Sequence, residues 1–439
     1  MRRSPSPFVR AVRAPGAALA AAVALAAACA LASPARAGEL PTARPKSVGL
    51  SAERLARLGT AMQRYIDEGK VAGIVTAVAR DGKVVHLQTQ GAMDFESGRP
   101  MQADAIFRIY SMSKPIAATA LMMLHEQGAF ALSDPVAKFL PELGAMKVMT
   151  GFDKKGQPVL VDAKSPMTMR QMLSHTAGLG YGIIPEGLDR GEDLYRAADL
   201  RARGTTLAEF VPKLAKLPLL YPPGTDWRYS LANDVQGRLV EVLSGVPFDR
   251  FLAERIFGPL DMRDTGFFVP AEKLDRFTSN YVFGEGGRQL VDGPEHTTYG
   301  EGVTFFSGGG GLVSTTRDYL RFCEMLLRGG ELDGARILGP KTIELMTMNH
   351  MPDGVVQRIA GAYELPGRGY GLGFGMIVDR AKAGTTASNG TYWWGGAANT
   401  GFWIDPKERL TGVVMTQRFP GELPLGELMQ TLVFQAIEY

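Results

Sequence analysis

The sequence predicts a mixed α/β fold (α+β) in which a mainly antiparallel sheet is flanked by helices and carries a large helical insertion. Strand signals, namely β-branched and aromatic residues between turn residues, cluster at the two ends of the chain and are rare between residues 115 and 300. Antiparallel hairpins at both ends can complete one sheet with helices packed on it. The predicted strands span residues 74–79, 84–87, 371–378, 392–394, 401–404 and 410–415.

A helix and a hairpin are the first predicted elements of the sheet region. Ser51 is suited to cap a helix that runs to about Glu68, because apolar residues recur along it at helical spacing. Asp81 and Gly82 lie between the first two strands and are a strong signal for a tight hairpin turn. Apolar periodicity predicts further helices over residues 116–127, 169–173, 207–215, 234–243, 248–256 and 425–438.

The N-terminal segment, residues 1–37, has the layout of a secretory signal peptide. Four arginines precede a run of Ala, Val and Leu over residues 17–31, and small residues at Ala35 and Ala37 suit cleavage. The apolar run is shorter than the ~20 residues that a membrane-spanning helix needs. We expect cleavage after Ala37, a secreted or periplasmic protein and no stable membrane span afterwards, and a lipid tether at Cys29 stays an open alternative.

The rest of the chain is predicted to have two parts. Residues 38–114 and 301–439 form a discontinuous sheet part, and residues 115–300 form a mainly helical part. The 48 basic and 45 acidic side chains give a formal net charge of +3, which does not indicate a nucleic-acid partner. After signal cleavage Cys323 stands alone, and its amphipathic helical surroundings predict a buried, inert thiol.

The first candidate for chemistry is the tetrad Ser111-Met112-Ser113-Lys114. A strand-like stretch precedes it and an apolar helix follows, so Ser111 is predicted at a strand-to-helix junction near the positive end of the helix dipole. About one helical turn separates Ser111 from Lys114, so both side chains share a face. A lysine in an apolar pocket loses proton affinity and can act as a base. A surface serine beside a solvated lysine is the alternative.

Two later segments can complete such a site. Tyr229 lies on a loop that enters a helix, and its phenol can relay a proton if nearby cations lower its pKa. The segment Trp394-Gly395-Gly396-Ala397 lets a substrate approach the sheet edge closely, because two of its residues lack side chains. The alternatives are a tyrosine packed under its loop and a bulged strand without a ligand.

Taken together, these segments resemble the three motifs of the serine β-lactamase and penicillin-binding protein superfamily in order and rough spacing. The resemblance covers most of the chain after about residue 48 and is nearest to the family VIII carboxylesterases, which share the fold of class C β-lactamases. It implies a β-lactamase/transpeptidase-like fold. The segments that carry it are Ser111-Met112-Ser113-Lys114, Leu173 to Leu179, Tyr229-Ser230-Leu231, Gly310 to Thr315 and Trp394-Gly395-Gly396.

Two departures from the class C pattern bear on the substrate. Trp394 stands where class C β-lactamases usually carry the lysine that helps to bind a substrate carboxylate, and Leu231 stands where they carry an asparagine. Both changes remove polar recognition of a β-lactam or a D-Ala-D-Ala peptide. The Trp-Gly-Gly segment is what the esterase subgroup shows.

The resemblance therefore predicts a serine carboxylesterase that acts on a small-molecule ester through an acyl-enzyme. Ser111 is the expected nucleophile, and Lys114 and Tyr229 move its proton. The backbone N–H groups of Ser111 and Ala397 are the expected oxyanion hole. The expected substrate-binding residues are Trp394, Gly395, Gly396, Tyr392 and Trp227, and the alternative for each of the three aromatic residues is a place in the core.

Several other functions are weaker alternatives. A β-lactamase or a peptidase of D-amino-acid peptides is the nearest, and a non-catalytic binding protein on the same fold is the second. The chain has no Gly-x-Ser-x-Gly elbow, and its five histidines are scattered, so neither an α/β-hydrolase nor a metal site is expected. His175 is expected to order its loop, no cofactor is expected, and the oligomeric state is left open.

Overall fold

A computed structural model of the protein describes Met1 and residues 38–284, 286–359 and 363–438. Residues Thr42–Tyr439 form one compact unit, and Met1–Pro41 form a second unit, in whose described residues there is no helix or strand. The predicted signal peptide, with Cys29 and the cleavage site, lies outside the described residues apart from Met1. Among the described helices, none has both the length and the apolar character that crossing a membrane requires.

The described residues contain eleven α-helices. Ser51 caps the first, accepting a hydrogen bond from the backbone N–H of Arg54 as predicted. The helices are α1 Ala52–Asp67, α2 Ser113–Glu126, α3 Met169–Leu173, α4 Arg190–Ala197, α5 Leu207–Leu214, α6 Ala232–Ser244, α7 Phe248–Leu252, α8 Thr316–Leu327, α9 Pro340–Met346, α10 Arg380–Ala383 and α11 Leu425–Phe434.

The described strands number eighteen, and several span only two or three residues. They are β1 Gly73–Arg80, β2 Lys83–Gly91, β3 Ile106–Arg108, β4 Val148–Phe152, β5 Pro158–Val161, β6 Asn280–Gly284, β7 Gly287–Asp292, β8 Val313–Thr315, β9 Glu331–Leu332, β10 Ala335–Arg336, β11 Arg358–Ile359, β12 Tyr363–Glu364, β13 Arg368–Tyr370, β14 Gly375–Ile377, β15 Tyr392–Gly395, β16 Gly401–Asp405, β17 Leu410–Met415 and β18 Arg418–Phe419.

The main sheet has seven strands in the order β13-β14-β15-β16-β17-β1-β2, and all of its pairs are antiparallel. The two ends of the chain meet where β1 pairs with β17, with Ala77 opposite Val413. Asp81 and Gly82 both have positive φ, 54° and 74°, as the predicted tight turn requires. The predicted fold class, a mainly antiparallel sheet flanked by helices, is confirmed.

Helices cover both faces of the central strands. Helices α1 and α11 pack on one face, and α8 packs on the other. Strands β1 and β17 are therefore buried along their whole length and show no polar alternation. The core between the sheet and the first pair of helices includes Leu58, Met62, Val78, Val414, Met429 and Val433.

Between residues 115 and 300 most predicted helices are present, but two hairpins appear that the sequence did not predict. Strands β4 and β5 form one, and β6 and β7 form the other. Strands β5 and β7 are largely exposed, so no apolar alternation marks them in the sequence. Residues Thr42–Tyr439 form one compact unit. The predicted division into a sheet part and a helical part stays a prediction.

At the C-terminal end two boundaries differ from the prediction. The predicted strand 371–378 is replaced by β13 and β14, with a bend between them at Gly373, whose φ is 98°. The last helix ends at Phe434, four residues before the predicted end. Because β13 and β14 pair antiparallel, with Tyr370 opposite Gly375, the residues between them form a turn, and Gly373 adopts its positive φ without a side-chain clash.

A short strand carries the chain to the candidate nucleophile and is held by a buried charge. Strand β3 pairs with β8, and its last residue, Arg108, is fully buried. The guanidinium donates to the carboxylate of Asp292 and, over 2.6 Å, to the carbonyl of Thr278, and it stacks 3.7 Å from the ring centre of Phe277. This contact fixes β3 against the β6–β7 hairpin.

We predict that Asp292→Ala destabilises the protein by about 3–5 kcal/mol, because it leaves the Arg108 charge buried without its partner. Denaturant unfolding of the purified protein measures the loss. Lys341→Ala is the control, since it removes one partner of an exposed ion pair and should cost less than about 1 kcal/mol. Equal losses in the two variants would contradict this account of the β3 anchor.

Candidate active site

Ser111 lies in a single 3₁₀ turn, Tyr110–Met112, between strand β3 and helix α2. Tyr110 has a φ of 42°, an uncommon conformation for a residue with a side chain. Such strain is often found next to functional groups. The turn presents Ser111 at the N-terminal end of a helix whose first twelve residues are all buried.

Lys114 is a direct polar partner of Ser111. Its side chain is fully buried, and its Nζ lies 3.2 Å from Ser111 Oγ, 3.3 Å from Tyr181 Oη and 2.6 Å from the carbonyl oxygen of Gly309. A neutral amine has two N–H donors and one lone pair. It can donate to Gly309 and Tyr181 and still accept the proton of Ser111.

The electrostatics of the site favour that neutral form. Burial lowers the pKa of Lys114 from 10.5 to about 7. The carboxylate of Asp234 acts in the opposite direction, and the positive charge of Arg201 lowers the pKa further. A large fraction of Lys114 is therefore neutral near pH 7.

Asp234 also holds the turn that receives the lysine. This buried residue in the first turn of α6 accepts hydrogen bonds from Ser307 Oγ over 2.5 Å and from the Gly309 N–H over 3.1 Å. The glycine turn is thereby fixed with the carbonyl of Gly309 directed at Lys114. Asp234 thus acts on Lys114 both through its charge and through the peptide that it orients.

Tyr229 lies over the same amine. Lys114 Nζ is 4.4 Å from the centre of the Tyr229 ring, which lies 5.3 Å from the ring of Tyr181. Burial raises the pKa of Tyr229 well above 10, and the hydroxyl of Ser111 and the side chain of Trp394 offset this only in part. The expected lowering of this pKa by nearby cations is therefore not found, and Tyr229 is a phenol at neutral pH.

Behind Tyr229 lies a cluster of aromatic rings that includes one predicted substrate-binding residue. Trp227 is buried and stacks on Tyr229 at 6.4 Å, and it lies outside the wall of the cavity that holds Ser111. His175 packs against both Trp227 and Tyr229, and its Nδ1 is 2.9 Å from Ser230 Oγ. The backbone carbonyl of His175 accepts hydrogen bonds from Tyr221 and Arg228, so this residue orders its loop.

Two other residues singled out in the sequence also lie away from the cavity. Tyr392 shares a sheet face with Trp394, but it is buried beside Phe374 and does not line the cavity. Leu231 is buried as well, and its backbone N–H donates to the carbonyl of Gly180. Neither side chain offers surface to a substrate.

The end of strand β15 closes against the nucleophile's turn. A Cβ on Gly396 would lie 2.4 Å from the carbonyl oxygen of Ile109, so only glycine permits this approach. Ala397 and Ser111 line the same cavity. Within the described part of the chain, neither of their backbone N–H groups donates to a protein acceptor. Both are free to bind an oxyanion.

Ser111, Tyr229 and Ala397 line one cavity of about 1240 Å³. Three further residues belong to the site without having been predicted: Tyr181, Arg201 and Asp234. Each is far from Ser111 in the sequence, and the only local signal is the glycine on either side of Tyr181. The predicted residues that line the cavity are Ser111, Tyr229, Trp394, Gly395, Gly396 and Ala397.

Metal-binding groups do not gather in the described residues: no three His, Cys, Asp or Glu side chains are placed to hold an ion. Cys323 is fully buried in α8, and burial raises the pKa of its thiol.

We predict that Gly396→Ala destabilises the protein by about 1–3 kcal/mol, because the new methyl group collides with the carbonyl of Ile109 and with Thr400. Gly395→Ala is a matched control one residue away, where a Cβ meets only the carbonyl of Thr400 at 3.3 Å. Thermal unfolding of both variants provides the comparison. A loss that is as large in Gly395→Ala as in Gly396→Ala would refute the close-approach explanation.

Comparison with known proteins identifies the family of the chain. The sequence matches the family described as Beta-lactamase over residues 58–432. It is 35% identical over 367 residues to Protein Rv1367c of Mycobacterium tuberculosis, which covers 82% of this chain and 89% of that protein. It is 33% identical over 391 residues to Esterase EstB of Burkholderia gladioli, which covers 85% of this chain and 93% of the esterase.

A solved structure shares the fold. EstCE1, described as a hydrolase with promiscuous acyltransferase activity, superposes with a TM-score of 0.73 at 29% identity and covers 87% of this chain and 99% of its own. The predicted resemblance is therefore confirmed. The chain belongs to the Beta-lactamase family, within the serine β-lactamase and penicillin-binding protein superfamily and near the family VIII esterases.

Proposed function

We propose that this protein is a serine carboxylesterase that forms an acyl-enzyme on Ser111. The observation that supports this most directly is the 3.2 Å contact between Ser111 Oγ and the buried amine of Lys114. A nucleophilic serine needs a base within hydrogen-bond reach that is neutral at the working pH. The low pKa of Lys114, about 7, meets that need.

In the acylation step, Ser111 Oγ attacks the ester carbonyl carbon and gives its proton to the neutral Nζ of Lys114. The negative charge that develops on the carbonyl oxygen is stabilised by the N–H groups of Ser111 and Ala397. The carbon–oxygen bond of the ester then breaks. The phenol of Tyr229, which hydrogen-bonds with Ser111 and whose ring centre lies 4.4 Å from Lys114 Nζ, gives its proton to the departing alcohol and recovers one from the Lys114 ammonium.

In the deacylation step, a water molecule attacks the acyl-enzyme. Lys114 accepts a proton from that water and returns it to Ser111 Oγ as the bond between the acyl carbon and Oγ breaks, so that the acid is released and the serine hydroxyl is restored. The neutral phenol of Tyr229 suits a proton relay rather than a base, since burial raises its pKa. Lys114 is therefore the proposed base in both steps.

Ester rather than β-lactam cleavage is supported by the wall of the cavity. At the position where class C β-lactamases carry a lysine, strand β15 presents Trp394, a buried ring 5.4 Å from Tyr229. Esterase EstB and EstCE1, which is described as a hydrolase, are among the similar proteins. A β-lactamase or D-amino-acid peptidase is the alternative on the same fold, and a non-catalytic binding protein is the second.

Acyl transfer to an alcohol is a further candidate activity for the same acyl-enzyme. A cavity of about 1240 Å³ can hold both an acyl group and a second molecule of moderate size. EstCE1 is described as having promiscuous acyltransferase activity. In this activity the hydroxyl of the acceptor takes the place of water in deacylation, and an ester forms instead of an acid.

The experiment that tests the proposal compares esters with a β-lactam. Protein that starts at Gly38 is expected to cleave p-nitrophenyl acetate, butyrate or octanoate much faster than a chromogenic cephalosporin. Ser111→Ala should lower ester turnover at least about a thousandfold, because it removes the nucleophile. Ser47→Ala is the control, because Ser47 is exposed and is far from Ser111 in the sequence.

Mass spectrometry of the protein with a slowly deacylating ester should show the acyl mass on the peptide that contains Ser111. Faster turnover of the cephalosporin would favour the β-lactamase alternative. Absence of turnover and of an acylated peptide would favour a binding protein.

We expect kcat/KM for a neutral ester to rise with pH through about pH 7 and then reach a plateau. The neutral amine of Lys114 is the active form, so activity is lost as the pH falls below its pKa of about 7. A rise centred near pH 10 would contradict the proposed role of burial.

Asp234→Asn should move the midpoint of that profile to lower pH. The carboxylate of Asp234 raises the pKa of Lys114, so removing its charge lowers that pKa, and the amide still offers an oxygen to Ser307 and Gly309. Asp162→Asn removes the same charge from an exposed position and should leave the midpoint unchanged. A shift to higher pH in Asp234→Asn would overturn the assignment.

We also propose that the protein is exported and cleaved after Ala37, as its N-terminal residues indicate. Expression of the full chain in a Gram-negative host should give a periplasmic product whose N-terminal sequence starts at Gly38. A lipid-modified product that starts at Cys29 would support the tether instead. An uncleaved cytoplasmic product would refute export.

A further inference from the structure

The described wall of the cavity carries more basic than acidic side chains. Arg201 and Arg203 are exposed on this wall, and Glu301 is its one acidic side chain in the described residues. Among the described residues no ion pair includes Arg201 or Arg203, although the charges of Asp199 and Asp234 act on Arg201 through space. Nearby Arg228, by contrast, pairs with Asp189 at 2.7 Å.

Arg201 is the arginine that reaches the catalytic groups. Its guanidinium lies 5.1 Å from the centre of the Tyr181 ring, and Tyr181 Oη lies 3.3 Å from Lys114 Nζ. Only two side chains therefore separate this cation from Ser111. The positive charge of Arg201 lowers the pKa of Lys114.

This position differs from that of the lysine which Trp394 replaces. Trp394 belongs to strand β15, whereas Arg201 stands on the Tyr181 side of the cavity. An arginine offers a planar set of N–H donors that matches a carboxylate in two-point contact. A concave wall that excludes part of the solvent strengthens such a contact relative to open water.

We infer that Arg201 binds a carboxylate of the substrate, so that the preferred esters carry a free acid group. The carboxylate belongs either to the acyl part, as in a half-ester of a dicarboxylic acid, or to the alcohol part, as in an acylated hydroxy acid. This inference rests on the proposed esterase function and narrows its substrate class. It leaves the chemistry at Ser111 unchanged.

The test uses two pairs of esters of similar length that differ in charge. Ethyl hydrogen adipate and ethyl hexanoate place the acid group on the acyl side. 4-Acetoxybutyrate and pentyl acetate place it on the alcohol side. The kcat/KM of each is measured by acid release in a pH-stat, and the quantity of interest is the anionic-to-neutral ratio within each pair.

In the unaltered protein we expect this ratio to exceed one for at least one pair, and that pair identifies which part of the ester carries the acid. Arg201→Gln should lower the ratio roughly tenfold to a hundredfold, because it removes a charged hydrogen-bond donor. Arg201→Lys should retain part of the preference, since the charge stays and the two-point contact is lost. Arg380→Gln removes an exposed arginine of α10 and should leave the ratio unchanged.

Each outcome separates this inference from the proposal on which it rests. Cleavage of the neutral esters with no anionic preference would overturn the role of Arg201 and leave the esterase in place. A preference that survives in Arg201→Gln, or that is lost only in Arg203→Gln, would also overturn the assignment. Failure to cleave any of the four esters would count against the esterase itself.

Discussion

The removal of Lys114 from water is the constraint on which the rest of the site depends. A lysine amine in solvent is protonated at neutral pH and cannot accept the proton of a serine. Helix α2 carries Lys114 into the interior, where burial lowers its pKa to about 7 and leaves Ser111 Oγ at 3.2 Å. Burying an amine costs free energy unless its donors are satisfied, and the carbonyl of Gly309 and Tyr181 satisfy them.

The groups around that amine have opposite effects on its pKa. Asp234 favours the charged form of Lys114, and Arg201 and burial favour the neutral form, so the pKa is a balance between near neighbours. Arg108 and Asp292 hold the strand that leads to Ser111, and the missing side chain of Gly396 lets strand β15 approach the same turn. Stability and chemistry therefore depend on the same few packed contacts.

The cavity walls differ in character in a way that bears on the substrate. Trp394 and Tyr229 form an aromatic wall at the end of the sheet, where an apolar acyl or alcohol group can pack. Arg201 places a positive charge on the Tyr181 side. An ester with one apolar part and one acid group suits both walls, and this combination distinguishes the site from one that is built around a lysine on β15.

Local sequence signals determined the helix after Ser51, the hairpin at Asp81, the central strands and the pairing of Ser111 with Lys114, because spacing of a few residues decides these features. Trp227 and Tyr392 could belong either to the acyl pocket or to the core on sequence grounds, and the structure packs both into the interior. Tyr181, Asp234 and Arg201 could not be found in this way, since Lys114 meets Tyr181 across 67 residues and Gly309 across 195. Tertiary structure alone decided how far Lys114 is removed from water and which charges surround it, because its pKa depends on side chains brought together from distant parts of the chain.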